Sequence, residues 1–484
     1  MCGVLREISP RVRSIKPLQS SVVALRAGQI EEELTQGVKK SFRQLINLIW
    51  GDPQSAGIKP LTFVRQVLSA CLYPQLLDND RLPADARQRA KALLSECQGG
   101  SLGSYTDLPG IPQVVREISD FITRRDGGVP SYPENILLAP GSQWALQNIL
   151  NLLVHGGGGA GGGDGAVRSG VLTPVPTHVT SIMSLMGLGG VSVPYYLSEE
   201  QGWKVEVEEL NRALEAAKPM CNPVAIYIIN PGNPSGHVQS RKSIQDVIRF
   251  ASEKRLFLLA DEVYQDCIYK ENIEFVSYKR VLAEMGPPFS NTVELASFHS
   301  TSKGFLGECG LRGGYVELVN MDPAVMKHVF TIFSKDNTPT PSQIALSVMA
   351  NPPQPGDPSY SLYAVETQQI RTTVTGNVRR VHEVLSSLPG VSSQPVEGGA
   401  FAFPRLNLPS KAIRTAKELK MEPDTFYCLR LLENTGACIA PGSEYGQKDG
   451  TYHIRFCITA KRDKIEDLLT RLVAFHTQFM DEFS

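Results

Sequence analysis

The chain of 484 residues lacks an excess of either charge, because 48 Lys and Arg stand against 49 Asp and Glu, a formal net charge of −1. Proteins that bind the phosphate backbone of nucleic acids depend on a basic surplus, so the sequence argues against nucleic acid as a partner. It also has no apolar run of the roughly 18 residues that a membrane span requires, and we expect no membrane insertion. With 42% hydrophobic and 20% charged residues, the composition is typical of a folded globular protein.

Cysteines at metal-ligand or redox spacing are also missing. The nine cysteines are odd in number and scattered, with no C-x-x-C pair and no close group of cysteine and histidine. We therefore predict no metal site and no disulfide framework. Reduced, mostly buried thiols are the expected alternative, and they indicate a reducing compartment.

The centre of the chain has the pattern of alternating strands and helices. Residues 224–229 form a continuous apolar run, which is typical of a strand buried on both faces. Apolar residues then recur at the spacing of one helix face, and a second apolar run covers residues 256–260. The pattern predicts a βαβ unit with parallel strands and a right-handed crossover. The helix-face residues are Ile244, Val247, Ile248 and Ala251.

The length allows about two to four domains. We predict an α/β fold in which a large domain with a mixed, mostly parallel sheet is joined to a smaller α+β domain. We place an N-terminal arm with part of the small domain at residues 1–105, the large domain at 106–350 and the C-terminal small domain at 351–484. The glycine tract 156–165 follows a helix rather than a strand, so we interpret it as a surface connection and not as a dinucleotide fingerprint.

Polar residues follow several of the predicted strands. In open α/β sheets, ligands bind beyond the carboxyl ends of the strands, so these residues are the first candidates for a site. Taken singly, each has an ordinary structural explanation: Asp261 as a helix N-cap, Asn233 as a turn former, Lys303 as a surface lysine. Together they combine an anion site, a buried acid and an amine, which is the set of groups that pyridoxal phosphate requires. The segments are 141–143, 230–236, 261–264 and 300–303, with Arg312 after the last.

These segments resemble the hallmark blocks of the fold-type I aminotransferases. Residues 300–304 with 310–314 are similar to the family's lysine signature, and 230–236 and 261–264 to its two other blocks, in the expected order. Residues 258–266 and 296–304 resemble the alanine aminotransferases within the family. The similarity runs from about Val4 almost to the C-terminus. It implies the fold-type I architecture of pyridoxal-phosphate-dependent transferases.

The resemblance implies a role for each central residue. Lys303 corresponds to the lysine that forms the Schiff base with pyridoxal phosphate and then moves the proton from the α-carbon. Asp261 corresponds to the acid that pairs with the protonated ring nitrogen. Asn233 and Tyr264 correspond to the residues that hydrogen-bond the phenolic oxygen of the ring.

The resemblance also implies how the phosphate and the substrate are held. The phosphate is expected at the start of the helix opened by Ser142 and Gln143, where free N–H groups favour anions. Arg455 takes the family's place for the substrate α-carboxylate, with Asn233 beside it, and Gly51 lies in the segment that closes over the substrate. Further phosphate contacts are expected from Ser300, Ser302, Arg312 and, from the other subunit of a homodimer, Tyr105.

Three positions depart from the family. An aromatic ring that stacks on the cofactor is replaced by His178, and a tyrosine three positions later is replaced by Ser181. A protonated histidine would repel the pyridinium ring. Gln143 stands where alanine aminotransferases are associated with serine, and is similar instead to aminoadipate and kynurenine aminotransferases.

The function implied is transfer of the amino group of L-alanine to 2-oxoglutarate, giving pyruvate and L-glutamate by a ping-pong mechanism. Two alternatives stay open: an aminotransferase with a larger donor such as kynurenine or aminoadipate, and a weakly active paralogue that binds the cofactor. Because residues 4–7 resemble the usual start of the family's domain, we expect a cytoplasmic location, or a mitochondrial one if a presequence is missing.

Overall fold

The computed structural model describes residues 22–155, 167–335 and 337–484. The basic N-terminal stretch and the glycine tract 156–165 lie outside these ranges. Of the eight cysteines inside them, seven are buried and none is paired with another. Within the same ranges, no helix is both long and apolar enough to cross a membrane.

The strands fall into one large sheet and several short pairings. They are β1 Ile46–Asn47, β2 Ile136–Ala139, β3 Ser169–Val175, β4 Val191–Tyr196, β5 Asn222–Ile229, β6 Phe257–Asp261, β7 Leu295–Ser300, β8 Gly314–Val319, β9 Val391–Ser392, β10 Phe401–Ala402, β11 Arg405–Leu406, β12 Ala437–Cys438, β13 Ala440–Pro441 and β14 Ile454–Cys457.

The helices cover both faces of the large sheet and form the outer layers of the rest. They are α1 Val22–Thr35, α2 Thr62–Leu72, α3 Ala84–Ser95, α4 Pro112–Arg125, α5 Ser142–Leu153, α6 Val179–Gly187, α7 Val207–Ala217, α8 Arg241–Lys254, α9 Tyr278–Met285, α10 Phe289–Thr292, α11 Pro323–Phe333, α12 Thr340–Ala350, α13 Tyr360–Ser387, α14 Ser410–Glu418, α15 Pro423–Thr435 and α16 Arg462–Phe483.

The predicted βαβ unit is confirmed. Strands β5 and β6 pair in parallel, and α8 connects them with its predicted apolar face fully buried. This helix begins where the side chain of Ser240 accepts a hydrogen bond from the backbone N–H of Ser243, an N-cap that satisfies one of the free donors of the first turn. It ends at Arg255 in the left-handed conformation.

The large sheet has the order β2-β8-β7-β6-β5-β3-β4. All of its neighbouring pairs are parallel except the two that involve β8, which is antiparallel to both β2 and β7. This confirms a mixed, mostly parallel sheet. The carboxyl ends of the parallel strands share one edge, and the reversed β8 brings its amino end to that same edge. Segments that follow β2, β3, β5, β6 and β7 therefore meet the segment that precedes β8.

The ends of the chain are interleaved. Helix α1 packs on α15, and β1 pairs in parallel with β12, so residues 22–47 join the C-terminal part. Helices α2, α3, α4 and α12 instead share a second hydrophobic cluster beside β2. The domain boundaries at residues 105 and 350 stay a prediction.

A buried ion pair joins α9 to the sheet. Lys279 Nζ lies 2.6 Å from Glu317 Oε1, and both side chains are almost fully buried. The hydroxyl of Ser131 donates to the same carboxylate oxygen. Because neither charge reaches water, each depends on the other for stabilisation.

We expect Lys279→Met to lower the free energy of unfolding by on the order of 3 kcal/mol, because it leaves the Glu317 carboxylate buried without its counter-charge. Lys242→Met is the matched control, since Lys242 pairs with Asp246 on the surface of α8 and should cost less than about 1 kcal/mol. Urea denaturation followed by circular dichroism measures both. Equal losses in the two variants would contradict this view of the buried pair.

Candidate active site

Lys303 lies in the segment after β7, at the shared edge of the sheet. Its Nζ donates to the backbone carbonyl of Gly51 at 2.6 Å. A Cβ added at Gly51 would lie 3.3 Å from that Nζ and 2.6 Å from the ring of Phe401. Glycine is therefore needed where the 49–52 segment passes over the lysine, as its predicted place in a covering segment requires.

Asp261 ends strand β6, beside the end of β5. Its Oδ2 accepts from the hydroxyl of Tyr227 at 2.7 Å, and its Oδ1 accepts from the N–H of Val263 at 3.3 Å. Burial raises the pKa of Asp261 to about 6, although both hydrogen bonds and the charge of Lys303 act in the opposite direction. The carboxylate is thus a buried acid whose ionisation depends on a few neighbouring groups.

Asn233 bridges two parts of the site. Its Nδ2 donates to the hydroxyl of Tyr264 at 3.2 Å, and its Oδ1 accepts from Nη1 of Arg455 at 3.4 Å. Burial holds the pKa of Tyr264 well above its ordinary range, so its phenol stays protonated. The structure therefore brings Asn233, Tyr264 and Arg455 into direct contact.

Arg455 occupies β14 and is 3% exposed. The rings of Phe401 and Tyr445 lie 3.9 Å from its Cζ, and Nη2 donates to the carbonyl of Ile49 at 2.7 Å. Burial lowers the pKa of Arg455. Its Nε has no hydrogen-bond partner among the described residues. A buried guanidinium with a free N–H and no carboxylate in contact is suited to a substrate carboxylate.

The strand that carries Arg455 is anchored through His453. The two ring nitrogens of His453 contact the carboxylate of Glu199 at 3.2 Å and Oε1 of Gln447 at 2.8 Å. Its ring stacks on Phe403 with centroids 4.6 Å apart. Glu199 comes from the segment after β4, so this contact ties β14 to the large sheet.

An anion cradle lies where β2, β7 and β8 meet. Helix α5 begins at Ser142, and the N–H groups of its first turn have no acceptor within the helix. The guanidinium of Arg312 lies where a side chain at Gly141 would be. Its Nη1 contacts the hydroxyl of Ser302 at 3.5 Å, and the hydroxyl of Ser300 accepts from the Ser302 N–H at 3.3 Å. These predicted residues thus converge on one helix N-terminus, which favours an anion.

The cradle depends on a close backbone approach. A Cβ at Gly314 would lie 2.6 Å from the carbonyl carbon of Gly141 and from the nitrogen of Ser142. The start of β8 therefore touches the turn that opens α5. Arg312, two residues earlier, adopts a left-handed conformation with φ of 57°, which aims it back at that turn.

Two predicted cofactor residues are placed differently. The side chain of Gln143 joins α5 to α6, since it donates to Ser184 Oγ at 3.0 Å and accepts from Thr180 Oγ1 at 3.1 Å. Its amide is thereby occupied, and its backbone N–H is what it offers to the cradle. Tyr105 is 84% exposed and touches none of these groups in this chain, as the resemblance implies for a residue that reaches the other subunit.

His178 caps α6, and its Nδ1 lies 2.6 Å from Thr180 Oγ1. Burial, followed by the charges of Arg455 and Lys303, lowers the pKa of His178 to about 4. The imidazole is therefore neutral near pH 7. The repulsion expected of a protonated histidine at this position is absent in the described structure.

Several residues of the site escaped the sequence analysis. Phe401 and Tyr445 enclose Arg455, although they precede it by more than 50 and by 10 positions. Tyr227 lies within a run of aliphatic residues, and its polar end was the one available signal. The hydroxyl of Ser181 donates to that of Tyr227 at 3.0 Å, so the departure at Ser181 is connected to Asp261.

The family model for aminotransferase class I and II matches residues 68–472. The chain belongs to the class I and II aminotransferases. Alanine aminotransferase 1 of Homo sapiens is 46% identical over 478 residues, which cover 99% of this chain and 95% of the relative. Alanine aminotransferase 2 of Xenopus laevis is 45% identical over 481 residues, 99% of this chain and 88% of the relative. The resemblance inferred from the motifs is confirmed.

Solved aminotransferases share the fold of this aminotransferase. A structure described as alanine aminotransferase from Pyrococcus furiosus aligns with a TM-score of 0.73 at 19% identity, covering 97% of this chain and all of that one. The predicted fold-type I architecture is confirmed. Members of the class use pyridoxal phosphate.

We expect Asp261→Asn to stabilise the cofactor-free aminotransferase at neutral pH. Because burial raises the pKa of Asp261 from 3.8 to about 6, the folded chain binds a proton between these values that the unfolded chain releases. The ionised carboxylate thus destabilises the fold by on the order of 2 kcal/mol above pH 6, and the loss disappears as the pH falls toward 4.

Chemical denaturation at pH 7.5 and pH 4.5 measures this effect. The asparagine variant should exceed the parent in unfolding free energy at pH 7.5, and the difference should shrink at pH 4.5. Asp449→Asn, at an exposed carboxylate, is the matched control. A difference independent of pH would contradict the raised pKa.

Proposed function

We propose that this aminotransferase holds pyridoxal phosphate at the shared edge of the sheet and moves the amino group of L-alanine to 2-oxoglutarate, giving pyruvate and L-glutamate. One observation carries the proposal: Lys303, Asp261 and Arg455 converge there, with Asn233 in contact with Arg455. Identity near 45% over almost the whole chain to named alanine aminotransferases supports the substrates.

The donor set fits the cofactor. The start of α5, Ser302 and Arg312 offer N–H and O–H groups to a phosphate, and Asp261 offers a buried carboxylate to a protonated ring nitrogen. When bound, pyridoxal phosphate supplies an electron sink for the carbanion that forms when the α-proton leaves. Asn233 and Tyr264 orient the ring through its phenolic oxygen, and the flat, neutral His178 lies against its face.

Lys303 and Arg455 act on the substrate. Arg455 binds the α-carboxylate through a guanidinium whose position is fixed by two rings and the carbonyl of Ile49. The amine of Lys303 accepts the α-proton and returns it, a transfer that needs a base within hydrogen-bond reach of the carbon. The segment around Gly51 covers both groups and excludes water.

The two alternatives lose their motives. The side chain of Gln143, which suggested a larger donor, links α5 to α6 instead. His178 and Ser181, which suggested a weakly active paralogue, leave a neutral ring and a hydroxyl in contact with Tyr227. Lys303, Asp261 and Arg455 are all present.

A homodimer completes the proposal. Tyr105, exposed on this chain, is proposed to reach the phosphate in the partner's site. Exposed Leu72, Tyr73 and Leu108 provide apolar surface in the same N-terminal region. Cytoplasmic or mitochondrial location stays a prediction.

We expect the purified protein with pyridoxal phosphate to show a yellow absorption band that depends on Lys303. L-Alanine should bleach this band to that of the pyridoxamine form, and 2-oxoglutarate should restore it, because the two half-reactions are opposite. Lys303→Ala should lack the band, and the surface variant Lys242→Ala should keep it. A band that bleaches with L-kynurenine or 2-aminoadipate but not with L-alanine would refute the alanine assignment.

We expect Arg455→Gln to raise the KM for both L-alanine and 2-oxoglutarate by about a hundredfold, since a charge-assisted contact to a carboxylate contributes about 3 kcal/mol. Both substrates carry an α-carboxylate, so both should suffer. Arg405→Gln is the control, because Arg405 lies near Glu199 on the surface of the same region. Steady-state kinetics of each half-reaction decide; unchanged KM values would remove Arg455 from the substrate site.

A further inference from the structure

Tyr227 is the described residue closest to the site without an assigned role. It lies on β5, is 2% exposed, and its side chain reaches the end of the neighbouring strand β6. Its hydroxyl oxygen is 2.7 Å from Oδ2 of Asp261 and 3.0 Å from the hydroxyl of Ser181 on α6. Three elements of the fold therefore meet at one phenol.

The protons of this contact have a definite direction. Burial, reinforced by the charge of Asp261, holds the pKa of Tyr227 well above its ordinary range, so the phenol keeps its proton. A phenol has one proton to give, and a carboxylate can only accept. Tyr227 thus donates to Asp261, and Ser181 donates to Tyr227. Aligned hydrogen bonds of this kind polarise and strengthen one another.

The relay bears on a position where the sequence departs from its family. The resemblance places a tyrosine at position 181, on α6, where this chain has serine. Here a phenol hydroxyl contacts residue 181 from the opposite side, because it is carried by β5. The loss of one tyrosine on the helix coincides with the presence of another on the strand.

We propose that Tyr227 is a positioning residue for the cofactor: with Ser181 behind it, it holds the Asp261 carboxylate in the orientation and charge that a protonated ring nitrogen requires. The inference rests on the proposed function, since it concerns how pyridoxal phosphate is held. Tyr227 acts through Asp261 and not by contact with the substrate.

The surroundings of Asp261 explain why one hydroxyl matters. The groups that face it are Lys303 from the segment after β7, the Val263 N–H and Tyr264 from the segment after β6, and Tyr227 from β5. Burial already places the pKa of Asp261 at about 6. Removal of a donor raises it further, into the range where an enzyme at neutral pH would carry a protonated, non-pairing acid.

The test measures equilibrium affinity for pyridoxal phosphate in the cofactor-free full chain between pH 5.5 and 8.5. Tyr227→Phe should weaken binding about tenfold at pH 7, the loss of one hydrogen bond to a charged group. The pH at which affinity is half lost should move upward by about one unit. Circular dichroism and thermal unfolding of the cofactor-free variant verify that it is folded.

Tyr195→Phe is the matched control. Tyr195 is also fully buried, and its hydroxyl donates to the backbone carbonyl of Tyr227 at 2.9 Å rather than to Asp261. Its loss removes a buried phenol hydroxyl from the same layer, and it should leave the pH profile of cofactor binding unchanged.

A double-mutant cycle isolates the relay. Ser181→Ala should weaken cofactor binding about threefold in the parent and have no further effect in Tyr227→Phe, because the serine acts through the phenol. A Tyr227→Phe variant with the affinity and pH profile of the parent would overturn the inference, as would a loss of affinity without a shift in pH. A parent chain that does not bind pyridoxal phosphate at all would instead refute the proposed function.

Discussion

The burial of the Asp261 carboxylate is the constraint on which the site depends. It lies at the end of a strand covered on both faces, so protein groups must replace the water that would otherwise stabilise its charge. Tyr227, the Val263 N–H and the charge of Lys303 supply that replacement. Each comes from a different segment at the same edge of the sheet. The mostly parallel order of the strands therefore has an electrostatic role as well as an architectural one.

Arg455 meets the same constraint with a different solution. Its guanidinium is held between two aromatic rings, by a backbone carbonyl and by Asn233, and no carboxylate neutralises it. Stacking on rings stabilises a cation with little loss of its outward hydrogen-bonding capacity. The charge therefore remains available to an incoming anion, and the contact with Asn233 ties it to the loop after β5.

The sequence predicted the βαβ unit and the residues at strand ends, because parallel strands align their carboxyl ends and local periodicity reports burial. It did not predict the surroundings of Arg455 from the residues alone. Those depend on Phe401 and Tyr445, which belong to separate short elements. Nor did the apolar run of β5 reveal where the Tyr227 hydroxyl points, since that is set by the packing of β5 against α6. Contacts between distant segments need the folded chain.

The hydrogen bond from Lys303 to the carbonyl of Gly51 has a consequence for the order of events. The same nitrogen cannot keep that bond and also become bonded to a cofactor carbon in the same geometry. Cofactor loading must therefore displace the 49–52 segment from its grip on the amine. Since Ile49 in that segment also holds Arg455, the displacement reaches the carboxylate site. Occupancy of one half of the active site is thus mechanically linked to the shape of the other.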